Sequence, residues 1–154
     1  RAYLQVFMLQ GVIMFVVLSP SYVVFTTLPS NLGVTHYIGI LFWLVGFYFE
    51  AVGDAQMMRF KSDSSNKGKV MNQGLWKFTR HPNYFGEALL WWGFGVFAFT
   101  PELWWLSLLG PAVITFFLLK VSGVAMLERK YDGNSKYAEY QRTTNAFLPW
   151  FPKK

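Results

Sequence analysis

The sequence predicts an all-α, polytopic membrane protein with about four transmembrane helices and a short interfacial helical region near the C-terminus. The chain of 154 residues is 53% hydrophobic and only 14% charged, whereas about a quarter of the residues in a soluble domain are charged. Its 20% aromatic content, including 7 Trp, suits a protein with two lipid–water interfaces. Four apolar stretches approach or reach the length that crosses a bilayer. We therefore expect a single membrane domain over residues 1–154.

The first predicted span covers residues 3–27, which are almost uniformly apolar, and Pro20 is expected to kink it. Helix-breaking residues at 28–33 predict a turn. The second span, residues 34–58, changes partway from lipid-like to polar, where two carboxylates share one helix face: Glu50 and Asp54. Two interpretations of that face stay open. It is either a helix that emerges into water or the wall of a cofactor pocket.

A hydrophilic loop, residues 59–77, precedes a third span of modest length at 84–100 and a long fourth span at 103–126. The short turn between these two spans predicts an antiparallel hairpin. Three glycines of the third span permit close helix packing: Gly86, Gly93 and Gly95. Charged and aromatic residues then alternate over 127–142, which indicates a pair of short interfacial helices. The tail at 147–152 is typical of an aromatic membrane anchor.

The basic residues are distributed unevenly about the predicted spans. If residue 1 faces the cytoplasm, the turns on the opposite side, 28–34 and 100–103, contain no Lys or Arg. All 14 basic residues then lie on or near the cytoplasmic side, as the positive-inside rule requires. We predict that the loop 59–82 and the C-terminus face the cytosol, or the equivalent side of an organelle membrane.

The candidate site is residues 80–87, which bring together a guanidinium, an imidazole, an amide, a phenol and a carboxylate. Pro82 suits the first turn of a helix. Asn83 and Glu87 then share one helix face, and both can point into one pocket. Free N–H groups at the helix start, together with Arg80, favour an anion such as a phosphate. The alternative is that these residues only anchor a membrane helix at its interface.

The run TRHPNYFGE followed by WWG, with EYQRTTNAFLPWFP near the C-terminus, resembles the C-terminal half of the membrane-embedded steroid 5α-reductase superfamily. The resemblance covers roughly residues 40–152 and is strongest for the DUF1295 branch. Its relatives include sterol C14-reductases and isoprenylcysteine carboxyl methyltransferases. The Arg-His-Pro-Asn-Tyr-x-Gly-Glu run is a specific signal for this superfamily, although the methyltransferases also carry an Arg-His-Pro-x-Tyr core.

The resemblance implies an NADPH-dependent reductase that acts on a C=C bond of a steroid or isoprenoid-type lipid. It implies that the phosphates of the cofactor lie near Arg59, Lys61, Arg80 and Arg142. It also implies that the nicotinamide lies near Asn83, Tyr84 and Glu87. The cofactor-binding residues implied in this way are Glu50, Asp54, Arg59, Lys61, Arg80, His81, Asn83, Tyr84, Glu87, Tyr140 and Arg142. The proton donors of such reductases come from an N-terminal half, so we expect them upstream of residue 1.

Two alternatives to the reductase stay open. An S-adenosylmethionine-dependent lipid methyltransferase would use Arg80, His81 and Glu128, and a non-catalytic subunit would use the fold as a scaffold within a membrane complex. The chain has no Cys and 2 His, and the spacing of its histidines predicts no metal site. It carries no glycine-rich phosphate motif of the Rossmann or Walker type. The expected partners are the lipid bilayer, a lipid-soluble substrate and, for the scaffold, other membrane subunits, but no nucleic acid.

Overall fold

The computed structural model describes residues 2–27 and 31–153, and within those ranges every regular element is helical. The α-helices are α1 (Ala2–Val17), α2 (Ser19–Thr26), α3 (Val34–Ser62), α4 (Pro82–Phe97), α5 (Trp104–Phe116), α6 (Val124–Arg129) and α7 (Ser135–Thr143). Two 3₁₀ turns, Ser64–Asn66 and Gly74–Lys77, lie between α3 and α4, and a π-helical turn, Phe117–Val121, continues α5. The predicted all-α fold class is confirmed. Residues 28–30 of the predicted turn, and Arg1, lie outside the described residues.

Two stretches are long and apolar enough to cross a membrane, namely α3 and the continuous segment Trp104–Arg129. A third span is present if α1 and α2, which meet at an angle of 45°, are counted as one broken helix. The break falls immediately before Ser19–Pro20, in agreement with the kink predicted at Pro20. Helix α4 has 16 residues, or about 24 Å, which is less than the roughly 30 Å of a bilayer's hydrocarbon core. The protein is thus a polytopic all-α membrane protein with two or three such spans, and α4, the third of the four predicted spans, is the one too short to be counted.

Helices α3 and α4 form the most extensive helix pair, and their glycines meet at the contact. These glycines recur every seven residues on each helix: Gly39, Gly46 and Gly53 on α3, and Gly86 and Gly93 on α4. A Cβ atom added at Gly46 would lie 2.5 Å from Leu90 N and 2.7 Å from the Gly86 carbonyl oxygen. Only glycine allows such an approach of two backbones. The close packing predicted for α4 is confirmed.

Polar side chains connect the remaining membrane helices through backbone carbonyl groups. Ser107 on α5 donates from Oγ to Ala98 O at the end of α4, at 2.9 Å. Ser19 at the start of α2 donates to Leu106 O at 2.8 Å and accepts from Gly110 N at 3.2 Å. Hydrogen bonds of this kind attach helices in lipid, where apolar surface alone gives little driving force. Helices α1 and α2 therefore pack on α5, and α5 packs on α4.

The C-terminal residues fold back over the segment that precedes α4. Asn134 caps α7 by accepting from Lys136 N and Tyr137 N at 3.1 and 3.2 Å. Beyond α7, Asn145 O accepts from Arg80 N at 2.9 Å. The two short helices predicted over 127–142 correspond to α6 and α7, and they form one wall of the cavity described below.

Candidate functional site

A cavity of about 700 Å³ opens at the end of the α3–α4 pair, between the loop that joins these helices and the C-terminal helices. Its volume lies within the range of small-molecule and cofactor pockets. One wall is α3 with the loop that follows it, a second is the start of α4, and the third consists of α6, α7 and their connection. The polar or aromatic lining residues used below include Asp54, Lys61, Asp63, Asn66, Lys67, Lys69, Trp76, Arg80, His81, Asn83, Tyr84, Tyr131, Tyr137 and Tyr140.

The start of α4 presents an amide to the cavity. Pro82 is the first residue of the helix, as predicted. In the next position, Asn83 donates from Nδ2 to Asp54 Oδ1 on α3 at 2.9 Å. Because a carboxylate only accepts hydrogen bonds, this contact assigns the Asn83 NH₂ group to the Asp54 side and the oxygen to the other. Asn83 Oδ1 is buried and has no hydrogen-bond partner among the described residues, so a donor from a ligand could satisfy it.

Three lysines surround the opposite part of the cavity: Lys61, Lys67 and Lys69. All three are exposed, and none has a carboxylate within 4 Å in the described ranges. Nearby, Asp63 accepts from Ser65 N at 2.9 Å, and this backbone hydrogen bond lowers the pKa of its carboxyl. The charge of Lys69 lowers this pKa further, so Asp63, which also lines the cavity, offsets part of the charge of the three lysines. The lysines give this side of the cavity an excess of positive charge, which favours an anionic ligand.

Arg80 is buried, and four of its five N–H donors bind the protein itself. Its Nε and Nη2 donate to the two carboxylate oxygens of Glu128, at 2.7 and 3.0 Å. Its Nη1 donates to the carbonyl groups of Gln141 and Thr144, at 2.9 and 2.5 Å. A bidentate pair with two further carbonyl partners leaves little of the guanidinium for a phosphate. This geometry favours a structural role for Arg80, in contrast to the phosphate contact that the sequence predicted.

His81 belongs to the same network. Its Nε2 lies 3.2 Å from Glu128 Oε1, and its ring stacks on Tyr84 with 5.5 Å between ring centroids. Burial lowers the pKa of the His81 imidazole, although the neighbouring Glu128 opposes this effect. The methyltransferase alternative requires Arg80, His81 and Glu128. The structure brings these three side chains together, but they bind one another.

Tyrosines from α7 and the preceding turn form an aromatic wall. Tyr131 and Tyr137 stack with 4.4 Å between ring centroids, and burial raises the pKa of Tyr137 to about 12. The Tyr140 hydroxyl donates to the Trp76 carbonyl, and burial also raises its pKa. Trp76 in turn donates from Nε1 to Gly53 O on α3 at 3.0 Å. This chain of contacts fixes the distance between α7 and α3 across the cavity.

The residues predicted from the sequence divide into two groups. Seven of them line the cavity: Asp54, Lys61, Arg80, His81, Asn83, Tyr84 and Tyr140. Four lie outside its lining: Glu50, Arg59, Glu87 and Arg142. Of these four, the half-buried Glu50 and Glu87 lie on the facing helices α3 and α4, and neither has a basic partner within 4 Å in the described part of the chain. Arg59 and Arg142 are exposed.

Some lining residues were absent from the sequence prediction, chiefly Lys67, Lys69, Tyr131 and Tyr137. The two lysines stand in a loop whose path depends on Asp63 and Asn66, whose side chains bind Ser65 N and Phe60 O. A pattern did mark the tyrosines, because aromatic and charged residues alternate after residue 126.

Among the described residues, no group of three or more His, Cys, Asp or Glu is placed to hold a metal ion.

Comparisons with known proteins agree with this architecture. Residues 1–144 match the model of a family described as protein of unknown function (DUF1295). The chain is 30% identical to steroid 5-alpha-reductase DET2 of Arabidopsis thaliana over 117 residues, which is 73% of this chain and 40% of that protein. It is also 30% identical to the very-long-chain enoyl-CoA reductase of Dictyostelium discoideum over 76 residues, which is 49% of this chain and 25% of that protein.

The chain spans less than half the length of either relative. No solved structure matches it significantly. The family match covers almost the whole sequence and includes the α3–α4 pair, the cavity and the whole of α7. By this match, and by its likeness to a steroid 5-alpha-reductase, the chain belongs to the DUF1295 family within the steroid 5-alpha-reductase superfamily.

Proposed function

We propose that this protein is a membrane-embedded reductase that uses NADPH to reduce a C=C bond of a steroid or isoprenoid-type lipid. One observation carries the proposal: among the described residues, the cavity has three exposed lysines with no carboxylate within 4 Å on one side and the buried Asn83 Oδ1, with no hydrogen-bond partner, on the other. The two relatives, both of them reductases by name, support it. The apolar surface of α3 and α4 would admit a lipid from the bilayer.

The chemistry of the lining fits this cofactor. Lys61, Lys67 and Lys69, all of them in the cavity lining, offer ammonium groups to phosphates. Asn83 Oδ1 accepts from an amide N–H, and the stacked pair of Tyr131 and Tyr137 offers a flat aromatic face to a planar ring. When bound, NADPH would supply the hydride.

The residues of this chain would bind and orient the cofactor. Asp54 holds the Asn83 amide in one orientation, which keeps its oxygen directed away from α3. The pair of Arg80 and Glu128 positions the start of α4, and with it His81 and Tyr84. We assign the proton donor of the reduction to no residue of this chain. We also propose that the loop between α3 and α4 faces the cytosol, where NADPH is dissolved.

Thermal unfolding of the purified protein in detergent micelles, with NADPH, NADH or S-adenosylmethionine added, tests the cofactor. At a hundred times its dissociation constant, NADPH should add about 2.7 kcal/mol of stability. For a chain of this size, that stabilisation corresponds to a rise in Tm of roughly 5–10 °C. A rise with S-adenosylmethionine alone would instead favour the methyltransferase, and no rise with any of the three would favour the non-catalytic scaffold.

Lysine substitutions make this experiment specific to the cavity. Lys61→Gln and Lys69→Gln should each weaken NADPH about tenfold, the loss of one exposed charge-assisted hydrogen bond. Lys120→Gln is the matched control, because Lys120 is an exposed lysine in the π-helical turn and lies outside the cavity lining. Equal binding by all three variants would show that phosphates bind elsewhere.

A further inference from the structure

The last described segment, residues 147–153, which we term the tail strap, is fastened to the protein by hydrogen bonds to its backbone. Phe147 O accepts from Thr79 Oγ1 at 2.8 Å, Trp150 N donates to Phe78 O at 2.9 Å, and Lys153 N donates to Thr143 O at 2.8 Å. Its large side chains nevertheless point outward, with exposed fractions of 65% for Leu148, 68% for Trp150 and 74% for Phe151. The strap is thus fixed in place but leaves an apolar surface uncovered.

The strap continues an aromatic row that belongs to the membrane helices. Phe147 contacts Phe85 on α4, with 5.9 Å between ring centroids, and Phe85 contacts Phe49 on α3 at 5.1 Å. Phe49 lies 15 residues after Val34, the first residue of α3, which is about 22 Å along the helix axis. A hydrocarbon core of about 30 Å that begins near Val34 therefore ends about 8 Å beyond Phe49. The row thus places Phe147, the first residue of the strap, within about 8 Å of that edge of the core.

Basic side chains accompany this apolar surface. Lys77 precedes Phe78, Arg142 precedes Thr143, and Lys153 belongs to the strap itself. All three are exposed, and within the described ranges none lies within 4 Å of a carboxylate. Arg142 and Lys77 also lie outside the cavity lining. Exposed tryptophan and phenylalanine beside unpaired cations match the headgroup region of a membrane, whose phosphates are negatively charged.

We propose that the tail strap is a lipid-binding surface at the membrane interface on the cavity side. Leu148, Trp150 and Phe151 insert at the boundary between headgroups and acyl chains, and Lys77, Arg142 and Lys153 contact lipid phosphates. Because the strap is hydrogen-bonded to Phe78 and Thr79, just before Arg80 and His81 of the cavity lining, it also fixes the cavity mouth at a set depth in the membrane. This inference does not depend on the proposed reductase activity.

Single-cysteine labelling tests the proposal cleanly, since the natural sequence has no Cys. The variants Leu148→Cys and Trp150→Cys keep the backbone hydrogen bonds of the strap, and each would carry one environment-sensitive fluorophore. Lys69→Cys, in the exposed loop, is the reference for water, and Leu44→Cys, 54% exposed on α3, is the reference for hydrocarbon. The labelled proteins are reconstituted into phosphatidylcholine vesicles with or without phosphatidylserine. Unchanged thermal unfolding verifies that each variant is folded.

We expect the strap labels to be quenched by nitroxides near the lipid headgroups and to resist aqueous iodide, with a depth between the two references. Phosphatidylserine should move them deeper, and Lys153→Gln should reduce that shift more than Lys120→Gln. Labels quenched by iodide as strongly as at Lys69→Cys would overturn the proposal. So would labels shielded from both quenchers, because a second copy or another protein would then cover the strap.

Discussion

The guanidinium of Arg80 and the carboxylate of Glu128 form a bidentate ion pair, 48 residues apart in the chain. The pair joins the start of α4 to α6, and the other donors of Arg80 extend it to the carbonyl groups at the end of α7. Three segments that are remote in sequence thereby meet at one buried charge, with the Arg80 side chain 9% exposed. The cavity wall depends on this connection.

Glu128→Ala should destabilise the protein strongly, because it leaves the Arg80 charge buried without a counter-ion. Loss of one partner of a buried pair costs about 3–5 kcal/mol, and the partial exposure of Glu128 places the expected cost near the lower figure. Thermal unfolding in detergent measures it. Glu139→Ala, which removes an exposed carboxylate of α7, is the control and should change Tm little. A Glu128→Ala variant that unfolds with the wild-type Tm would contradict the structural role of the pair.

The glycine contact between α3 and α4 predicts a second stability effect. Gly46→Ala places a Cβ atom 2.5 Å from the backbone nitrogen of Leu90, where no flexible side chain can give way. Overpacking of this kind costs about 1–3 kcal/mol, and the helices must separate to accept it. Gly11→Ala is the matched control, since nothing lies within 4 Å of a Cβ atom on this helical glycine. It should be neutral or stabilising by up to about 1 kcal/mol. Similar unfolding temperatures for the two variants would mean that the helices do not approach so closely.

The sequence was sufficient to predict the fold class and the location of the cavity, because both follow from local patterns. Long apolar stretches determine the helices, and the Arg-His-Pro-Asn-Tyr motif stands where a loop becomes a helix. Asn83 can bind Asp54 only if α4 packs against α3. The glycines recur every seven residues on both helices, and this shared spacing indicates that the two helices pack together. The modest length of α4 was predicted, but its predicted bounds of 84–100 lie two to three residues too far along the chain, since the helix begins at Pro82 and ends at Phe97.

The partner of Arg80 could not be predicted from local patterns. Both Glu87, seven residues later, and Glu128 are carboxylates, and the sequence does not indicate which one the folded chain brings within 3 Å. The answer depends on how α6 turns after the π-helical segment Phe117–Val121. Arg142 was likewise predicted as a cofactor contact, because it belongs to the EYQRTTNAFLPWFP run. The packing of α7 leaves it exposed and outside the cavity lining. Local patterns predict helix faces, whereas the side chains that meet across elements depend on long-range packing.

The burial of His81 predicts that acid destabilises the protein. Its folded-state pKa is lowered from 6.5, so the unfolded chain takes up a proton that the folded chain resists. Stability is therefore complete above about pH 6.5 and falls as the pH decreases below it, by at most about 1.4 kcal/mol per pH unit for one proton. Thermal unfolding between pH 8 and pH 5 measures this slope.

His81→Gln should flatten that pH dependence, because the glutamine amide can still contact Glu128 but does not titrate. His36→Gln is the companion variant, since it removes the other histidine, which binds Gly33 N at the start of α3, and leaves His81 in place. The pH dependence should survive in His36→Gln. Were it to persist equally in His81→Gln, another group would be responsible for it.

Although α4 is short, its two ends contact residues of α3 that lie 18 positions apart. Asn83 binds Asp54 near one end, and Phe97 contacts His36 near the other, with 5.0 Å between ring centroids. The 18 residues from His36 to Asp54 cover about 27 Å, close to the thickness of the hydrocarbon core. The turn after α4 should therefore emerge on the membrane face opposite to the cavity.

Labelling with a membrane-impermeant maleimide tests this arrangement in intact cells. Glu102→Cys, in the turn between α4 and α5, should react from outside, whereas Lys69→Cys, beside the cavity, should react only after permeabilisation. Both positions are exposed in the folded chain, so a difference in labelling reports the side of the membrane and not burial. The opposite labelling pattern would reverse the proposed cytosolic orientation of the cavity. Equal labelling of both from one side would show that α4 does not cross, and the positive-inside prediction for the loop at 59–82 would then lose its basis.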